Sequence, residues 1–299
     1  MSSLSYAAPT TVDEAVKLLA GASGLARVLS GGTDLLVQMR AGRLKPDLIV
    51  DTKKIPGIIG IRQENGGFVI GAATPGAEVE ANEALKAVWP GLVEALDLIG
   101  STQVQGRCSL AGNLCNASPA ADSVPALFAA GAIAVVVGSN GKREVPVEQI
   151  PVGPGRTSLA KDEFILEFKL PPRPARSGDA YLRFIPRTEM DIAVVGCGIS
   201  LTLDEKGVCT AARVALGAVA PTVLLVKSAA DVLVGHTLDA DTLARLDAAA
   251  QAAARPITDK RGTVEYRTKI AGVLARRVAA IAFDRAQGGT AGKVNGKAH

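Results

Sequence analysis

Apolar residues recur at helical spacing over residues 11–20, where Val12, Ala15, Val16 and Leu19 share one side behind a Thr-Val-Asp-Glu capping signal. Residues 25–29 form a short apolar strand that runs at once into Ser30-Gly31-Gly32-Thr33-Asp34, and LLVQMRAG follows as a helix closed by Gly42. Residues 47–51 and 67–73 read as further buried strands, separated by a break at 53–66 that holds Pro56 and several glycines. Helical spacing returns over 78–99, interrupted near Pro90. Residues 100–125 then form the passage densest in small residues. The longest apolar stretch, 126–138, reads as buried strand and loop. A β-branched strand at 132–137 turns tightly at 138–141 into 143–147, and 163–170 alternates as a strand until Pro171-Pro172.

A Pro/Arg-rich linker occupies 171–179. Beyond it, apolar strands at 191–203 and 209–216 flank a turn at 204–207, a hairpin pattern. Helical patterns follow at 224–233, 241–253 and 263–286, and GGTAGKVNGKAH closes the chain as a frayed tail. No repeat of fixed period is visible. The last third is thus an α+β arrangement of a hairpin-based sheet with helices.

Composition narrows the function. A chain of 299 residues, 48% hydrophobic and 21% charged, is an ordinary folded protein of two or three modules. The net charge of +4 is small, aromatics are 3%, and no basic cluster is interleaved with aromatics, which argues against nucleic acid as a partner. The first residues lack a basic flank followed by an apolar run, and 126–138 falls short of a bilayer span. A cytoplasmic protein without a membrane span is the expectation. Cysteines at 108, 115, 197 and 209, with six and eleven residues between the members of each pair, match no metal or cluster spacing. They read as buried free thiols.

The two histidines, His236 in a polar turn and His299 at the last position, offer no triad or metal site, and no GxSxG, HExxH or Walker A pattern occurs. Any chemistry therefore belongs to a cofactor. Leu29-Ser30-Gly31-Gly32-Thr33-Asp34-Leu35 lies between strand and helix. It is open to two readings: a plain strand-to-helix turn capped by Thr33 or Asp34, or an anion cradle of backbone N–H groups. Ser109-Leu110-Ala111-Gly112-Asn113 reads as a second loop, in a passage of hydroxyls and amides that is costly to order without a ligand. Two such loops suit a long diphosphate ligand, and neither reads GxGxxG, so a Rossmann mode is disfavoured. In Tyr181–Ala193 the arginines are either solvated or paired with Glu189 and Asp191, or else Arg183 or Arg187 faces an anionic ligand edge. Spacing favours the first.

At these residues the chain resembles the medium, FAD-binding subunits of the xanthine dehydrogenase and carbon monoxide dehydrogenase family. LSGGTDLLVQMRAG is similar to that family's first flavin loop, GSTQVQGRCSLAGNLCNASPAADSVPAL to its second, and YLRFIPRTEMDIAVV to the opening of its C-terminal domain. ALGAVAPT and PITDKRGTVEYR also match that last domain. The resemblance implies a two-subdomain FAD-binding fold of the vanillyl-alcohol-oxidase type plus a C-terminal α+β domain. The expected division is 1–57, 58–176 and 177–287, with a tail at 288–299.

Carried over residue by residue, Leu29, Ser30, Gly31, Gly32, Thr33, Asp34 and Leu35 would hold the FAD diphosphate from one side. Ser109, Leu110, Ala111, Gly112 and Asn113 would hold it from the other. Asp122 matches an acidic FAD contact, Ile99 and Ile165 match apolar positions beside the cofactor, and Arg183 takes a basic position close to the flavin. One departure stands out: the family's second loop more often reads Thr-Ile-Gly-Gly-Asn, and Ala111 replaces its first glycine. A Cβ there implies that the position does not need positive φ. The cysteine-rich insertion of the 4-hydroxybenzoyl-CoA reductase branch is also missing.

The resemblance further implies a relay. A large molybdenum-cofactor subunit would hydroxylate substrate, a small subunit with two [2Fe–2S] clusters would pass electrons on, and FAD in this chain would deliver them to an external acceptor, within a dimer of heterotrimers. Two rivals remain: a self-sufficient FAD-dependent oxidoreductase of the same fold, disfavoured by the scarcity of histidine, and a non-enzymatic scaffold without FAD.

Overall fold

Thr11 caps the first helix, its hydroxyl accepting from the Glu14 N–H at 3.2 Å while Glu14 reaches back to the Thr10 N–H. The computed structural model describes residues 4–188 and 190–289; residues 290–299 of the expected tail lie outside them. The first module runs β1 (Ser5–Ala7), α1 (Val12–Gly21), β2 (Ala26–Leu29), α2 (Leu35–Arg40) and β3 (Leu48–Asp51). Its sheet is parallel in the order β1-β3-β2. Helix α1 buries Ala15, Val16 and Leu19, the side the spacing singled out. Neither Thr33 nor Asp34 caps α2 through its side chain, because Asp34 already has helical backbone angles.

The second sheet is antiparallel, β4-β5-β10-β6-β7, built from β4 (Ile61–Glu64), β5 (Gly67–Gly71), β6 (Ile133–Gly138), β7 (Gly141–Pro146) and β10 (Phe164–Leu170). Between β7 and β10 lies a short ribbon of β8 (Pro151–Gly153) and β9 (Arg156–Thr157). The break at 53–66 contains strand β4, which the pattern did not suggest. Asn65 and Gly66, both at positive φ, turn it into β5 as a two-residue hairpin.

Six helices fill the connection from β5 to β6: α3 (Gly76–Glu80), α4 (Glu83–Val88), α5 (Pro90–Asp97), α6 (Thr102–Gln105), α7 (Leu110–Cys115) and α8 (Ser123–Ala130). One expectation is corrected here. The apolar run at 126–138 is not strand and loop throughout, since its first part is the end of α8, stopped by Gly131 in the left-handed region. Every residue of α8 is buried, so it has no polar face to betray a helical period.

The third module is a four-stranded antiparallel sheet, β11 (Ser177–Phe184), β12 (Val195–Leu203), β13 (Cys209–Gly217) and β14 (Leu224–Leu225), covered by α9 (Lys227–Leu233), α10 (Ala240–Ala253) and α11 (Val264–Ala286). β11 is an interior strand: Ala180 and Tyr181 are buried, because the strand lies between α11 and the helices of the central module. Glycines floor one side of this sheet. A Cβ on Gly198 would stand 2.7 Å from the Pro125 carbonyl oxygen, and one on Gly217 would stand 2.9 Å from the Pro125 ring. Helix α8 can therefore lie directly on β12 and β13.

Side chains reinforce that junction. The Arg173 guanidinium stacks over the Trp89 ring at 4.5 Å and pairs with buried Asp179 at 2.7 Å, while Arg285 of α11 pairs with Glu94 of α5. The mixed helix and strand content, two sheets followed by a separate α+β domain, is the fold class expected.

Candidate functional site

The first glycine loop and the start of α7 meet. Ser30 Oγ lies 2.7 Å from Ser109 Oγ, and Ser30 also donates to the Ala72 carbonyl at 3.4 Å. Gly31 makes the approach possible, since a Cβ on it would stand only 1.9 Å from the Arg107 carbonyl oxygen. Gly32 serves differently: its φ of +82° is one that L side chains rarely adopt. Lys53 Nζ braces the loop from behind, donating to the Ser30 carbonyl at 3.0 Å and to Asp51 at 2.7 Å. Farther along, Gln38 of α2 donates to Asn116 after α7 at 2.9 Å.

Residues 109–113 are not a loop, as expected from their composition, but an N-cap and the first turn of a helix. The Ser109 hydroxyl accepts from the Gly112 N–H at 3.2 Å, and Leu110 and Leu114 bury themselves one turn apart. Ala111 is the second residue of α7, has no positive φ and packs into the central core. Asn113 then ties α7 to the start of α8, its side-chain oxygen accepting from the Ser123 hydroxyl at 2.7 Å and its N–H at 3.2 Å.

Next to Ser123, Asp122 is held by β11. Tyr181 donates its hydroxyl to one carboxylate oxygen at 2.9 Å, and Arg183 Nη1 takes the other at 2.6 Å. Burial pushes the Asp122 carboxyl up to about 6, although Arg183 and Tyr181 both pull the other way. Of the two readings of the arginines, Arg187 follows the first: it is exposed and pairs with Asp191 at 3.2 Å. Arg183 follows neither in full: it is buried, pairs with the Asp122 carboxylate and reaches only the backbone carbonyl of Asp191, at 3.5 Å, while Glu189 lies outside the described residues.

Ile165 is buried in β10 beside a bulge, and Ile99 is half-buried after α5; both join the core cluster that contains Leu110 and Ala111. The next residue, Leu166, accepts from the Ala72 N–H at 3.0 Å, which places β10 directly behind the Ser30 contact. Sequence reasoning missed Tyr181 and Lys53. For Tyr181 a signal existed, because residues two apart on a strand share a face and Arg183 was already singled out.

The donor set fits a diphosphate. Among the described residues, the backbone N–H groups of Gly31, Gly32 and Thr33 have no acceptor, nor have those of Leu110 and Ala111 at the start of α7. Arg183 Nε is buried without a partner as well. A glycine turn and a helix start that leave N–H groups open side by side are ready donors to an anion. Among the described residues no cluster of His, Cys, Asp and Glu could hold a metal ion. A donor set of this kind fits the class of proteins in which backbone N–H groups receive a phosphate and the reactive atoms belong to a cofactor.

Comparison with known proteins makes the class specific. Residues 2–173 match the model of the FAD binding domain in molybdopterin dehydrogenase, and residues 180–282 match the CO dehydrogenase flavoprotein C-terminal domain. The carbon monoxide dehydrogenase medium chain of Hydrogenophaga pseudoflava is 32% identical over 280 residues, covering 94% of this chain and 97% of that one. The medium chain of Afipia carboxidovorans is 33% identical, covering 95% and 98%. The solved carbon monoxide dehydrogenase of H. pseudoflava superposes with a TM-score of 0.91 at 32% identity, over 94% of this chain and 98% of that chain. The chain belongs to the family of FAD-binding subunits of molybdenum hydroxylases. It is an oxidoreductase subunit, and relatives in that family are named as medium chains or FAD-binding subunits of dehydrogenases.

Proposed function

We propose that this chain is the flavin-holding end of an electron relay in a dimer of heterotrimers. A large molybdenum-cofactor subunit would oxidise substrate, a small subunit with two [2Fe–2S] clusters would carry electrons onward, and an external acceptor would receive them here. Bound FAD supplies the exchange between one-electron carriers and a two-electron acceptor. No side chain of this chain needs to act as acid or base.

The chain's own residues bind, orient and exclude water. Leu29–Leu35 and Ser109–Asn113 would grip the diphosphate from two sides, chiefly through the uncommitted N–H groups of Gly31, Gly32, Thr33, Leu110 and Ala111. Ser30 and Ser109 hold the two grips in register. Asp122 and Arg183 would meet the cofactor's polar edge, and Ile99 and Ile165 would wall it off from solvent. Among the described residues no helix is long and apolar enough to cross a membrane, which accords with a cytoplasmic site of action.

The observation that carries this reading is the meeting of Ser30 and Ser109 beside backbone donors with no acceptor. The test is to purify the complex through a tag on this chain, then record its absorption and its electron paramagnetic resonance spectra. One FAD per chain, reducible by substrate only when both partners are present, is the expected result. Partners that copurify with no flavin band would defeat it, and so would bleaching of the flavin by substrate with this chain alone.

A further inference from the structure

The Asp122 carboxylate sits at the mouth of α8, and each of its oxygens is taken by a residue of the same strand. Tyr181 and Arg183 lie two apart on β11, so both project to one side, and they close on Asp122 as two prongs at 2.9 Å and 2.6 Å. Across from them, β12 makes room. A Cβ on Gly196 would stand 2.8 Å from the Tyr181 hydroxyl oxygen, so only glycine lets that hydroxyl reach the carboxylate. Arg183 keeps its Nε buried and without a partner.

We propose that Tyr181 is a positioning residue for the flavin site, holding the Asp122 carboxylate and, through it, the Arg183 guanidinium in the orientation they present to the cofactor. This rests on the flavin reading above. A buried carboxylate that accepts from two donors is kept both aimed and charged. If the Tyr181 hydroxyl is removed, the same carboxylate stays buried with one partner, and it protonates at a higher pH. Protonated Asp122 no longer neutralises Arg183, and both groups lose their fixed direction.

The other titratable groups around Asp122 do not compete for this role. Cys197 of β12 lies beside Tyr181 and is itself buried. Glu94 of α5 is closed by Arg285 of α11. Arg213 of β13 sits at the opposite end of α8, donating to Phe128 and paired with Glu148. Helix α7 contributes Asn113, which is uncharged and held by Ser123.

The test is FAD release from the purified holo complex, followed by the fluorescence of free FAD between pH 5.5 and 8.5. In the unaltered complex release accelerates as pH falls through the Asp122 transition. In Tyr181→Phe the midpoint of that transition moves up by about one pH unit, and release at pH 7 becomes several-fold faster. Gly196→Ala, which displaces the hydroxyl without deleting it, moves the midpoint in the same direction and keeps the proposal testable if Tyr181→Phe folds poorly. Asp122→Asn removes the pH dependence in either background. A Tyr181→Phe or Gly196→Ala profile that superimposes on that of the unaltered complex overturns the proposal. An unaltered complex isolated without FAD would instead defeat the flavin reading.

Discussion

Ser30 and Ser109, 79 residues apart in sequence, bring their hydroxyl oxygens to 2.7 Å. One hydroxyl belongs to a loop between strand and helix, and the other is the N-cap of α7. The contact fixes the distance between the two backbone grips. Ser109→Ala removes it and the cap together, and should lower stability by about 1 kcal/mol. Ser30→Ala removes only the contact. The flavin-to-protein absorbance ratio of the purified complex should therefore fall further for Ser109→Ala than for Ser30→Ala; equal ratios at the level of the unaltered protein would show that the contact does not set the grip.

Gly31 and Gly32 are expected to fail in different ways. Alanine at 31 would drive its Cβ into the Arg107 carbonyl oxygen, 1.9 Å away, and backbone cannot yield cheaply. Overpacking of this kind costs roughly 1–3 kcal/mol, and the two grips must separate. Alanine at 32 meets mainly the ends of Leu29 and Leu36, which can move, and its cost is the left-handed φ, about 1–2 kcal/mol. Flavin content should therefore drop several-fold in Gly31→Ala while thermal stability falls by similar amounts in both. A Gly31→Ala protein with full flavin content would contradict this.

Ala111 stands where the resemblance implies a glycine, and its surroundings explain why alanine fits. It is the second residue of α7, at a helical φ, where alanine is a better helix former than glycine. Ala111→Gly should cost up to about 1 kcal/mol in a denaturant titration and leave the FAD dissociation constant within about threefold. A large gain in FAD affinity would show that the position wants the freedom of glycine.

How far these features were legible depends on how local their causes are. Helix α1 announces itself through Thr11, Glu14 and one apolar side, and the hairpin of β12 and β13 through its turn. Helix α7 is only six residues long and includes small side chains, so its period is too short to see and its start read as a loop. Helix α8 hides its period because all of it is buried. The hairpin at Asn65-Gly66 was readable, since that pair is the strongest short hairpin signal, but the glycines around it blurred the strand before it. The clamp of Asp122 by Tyr181 and Arg183 obeys no local rule, because its partners are brought together only when the third module docks on α8.

The thiols provide a test of packing that needs no cofactor. Burial pushes Cys108 up to about 11 and Cys115 up to about 12, and it raises Cys197 and Cys209 as well. At pH 8 roughly one Cys108 side chain in a thousand is thiolate, and thiolate is the reactive form. Iodoacetamide at that pH should leave the native protein unmodified while the denatured chain takes up four groups. The sign for stability follows from the same shifts. A thiol whose folded pKa is raised above its unfolded value of 9.0 contributes fully below pH 9, and the contribution disappears as pH rises toward 11 and 12. The denaturation midpoint should therefore decline above pH 9, and Cys115→Ala should lessen that decline. If Cys115→Ala tracks the unaltered protein over the whole alkaline range, the surroundings of Cys115 do not hold its thiol neutral.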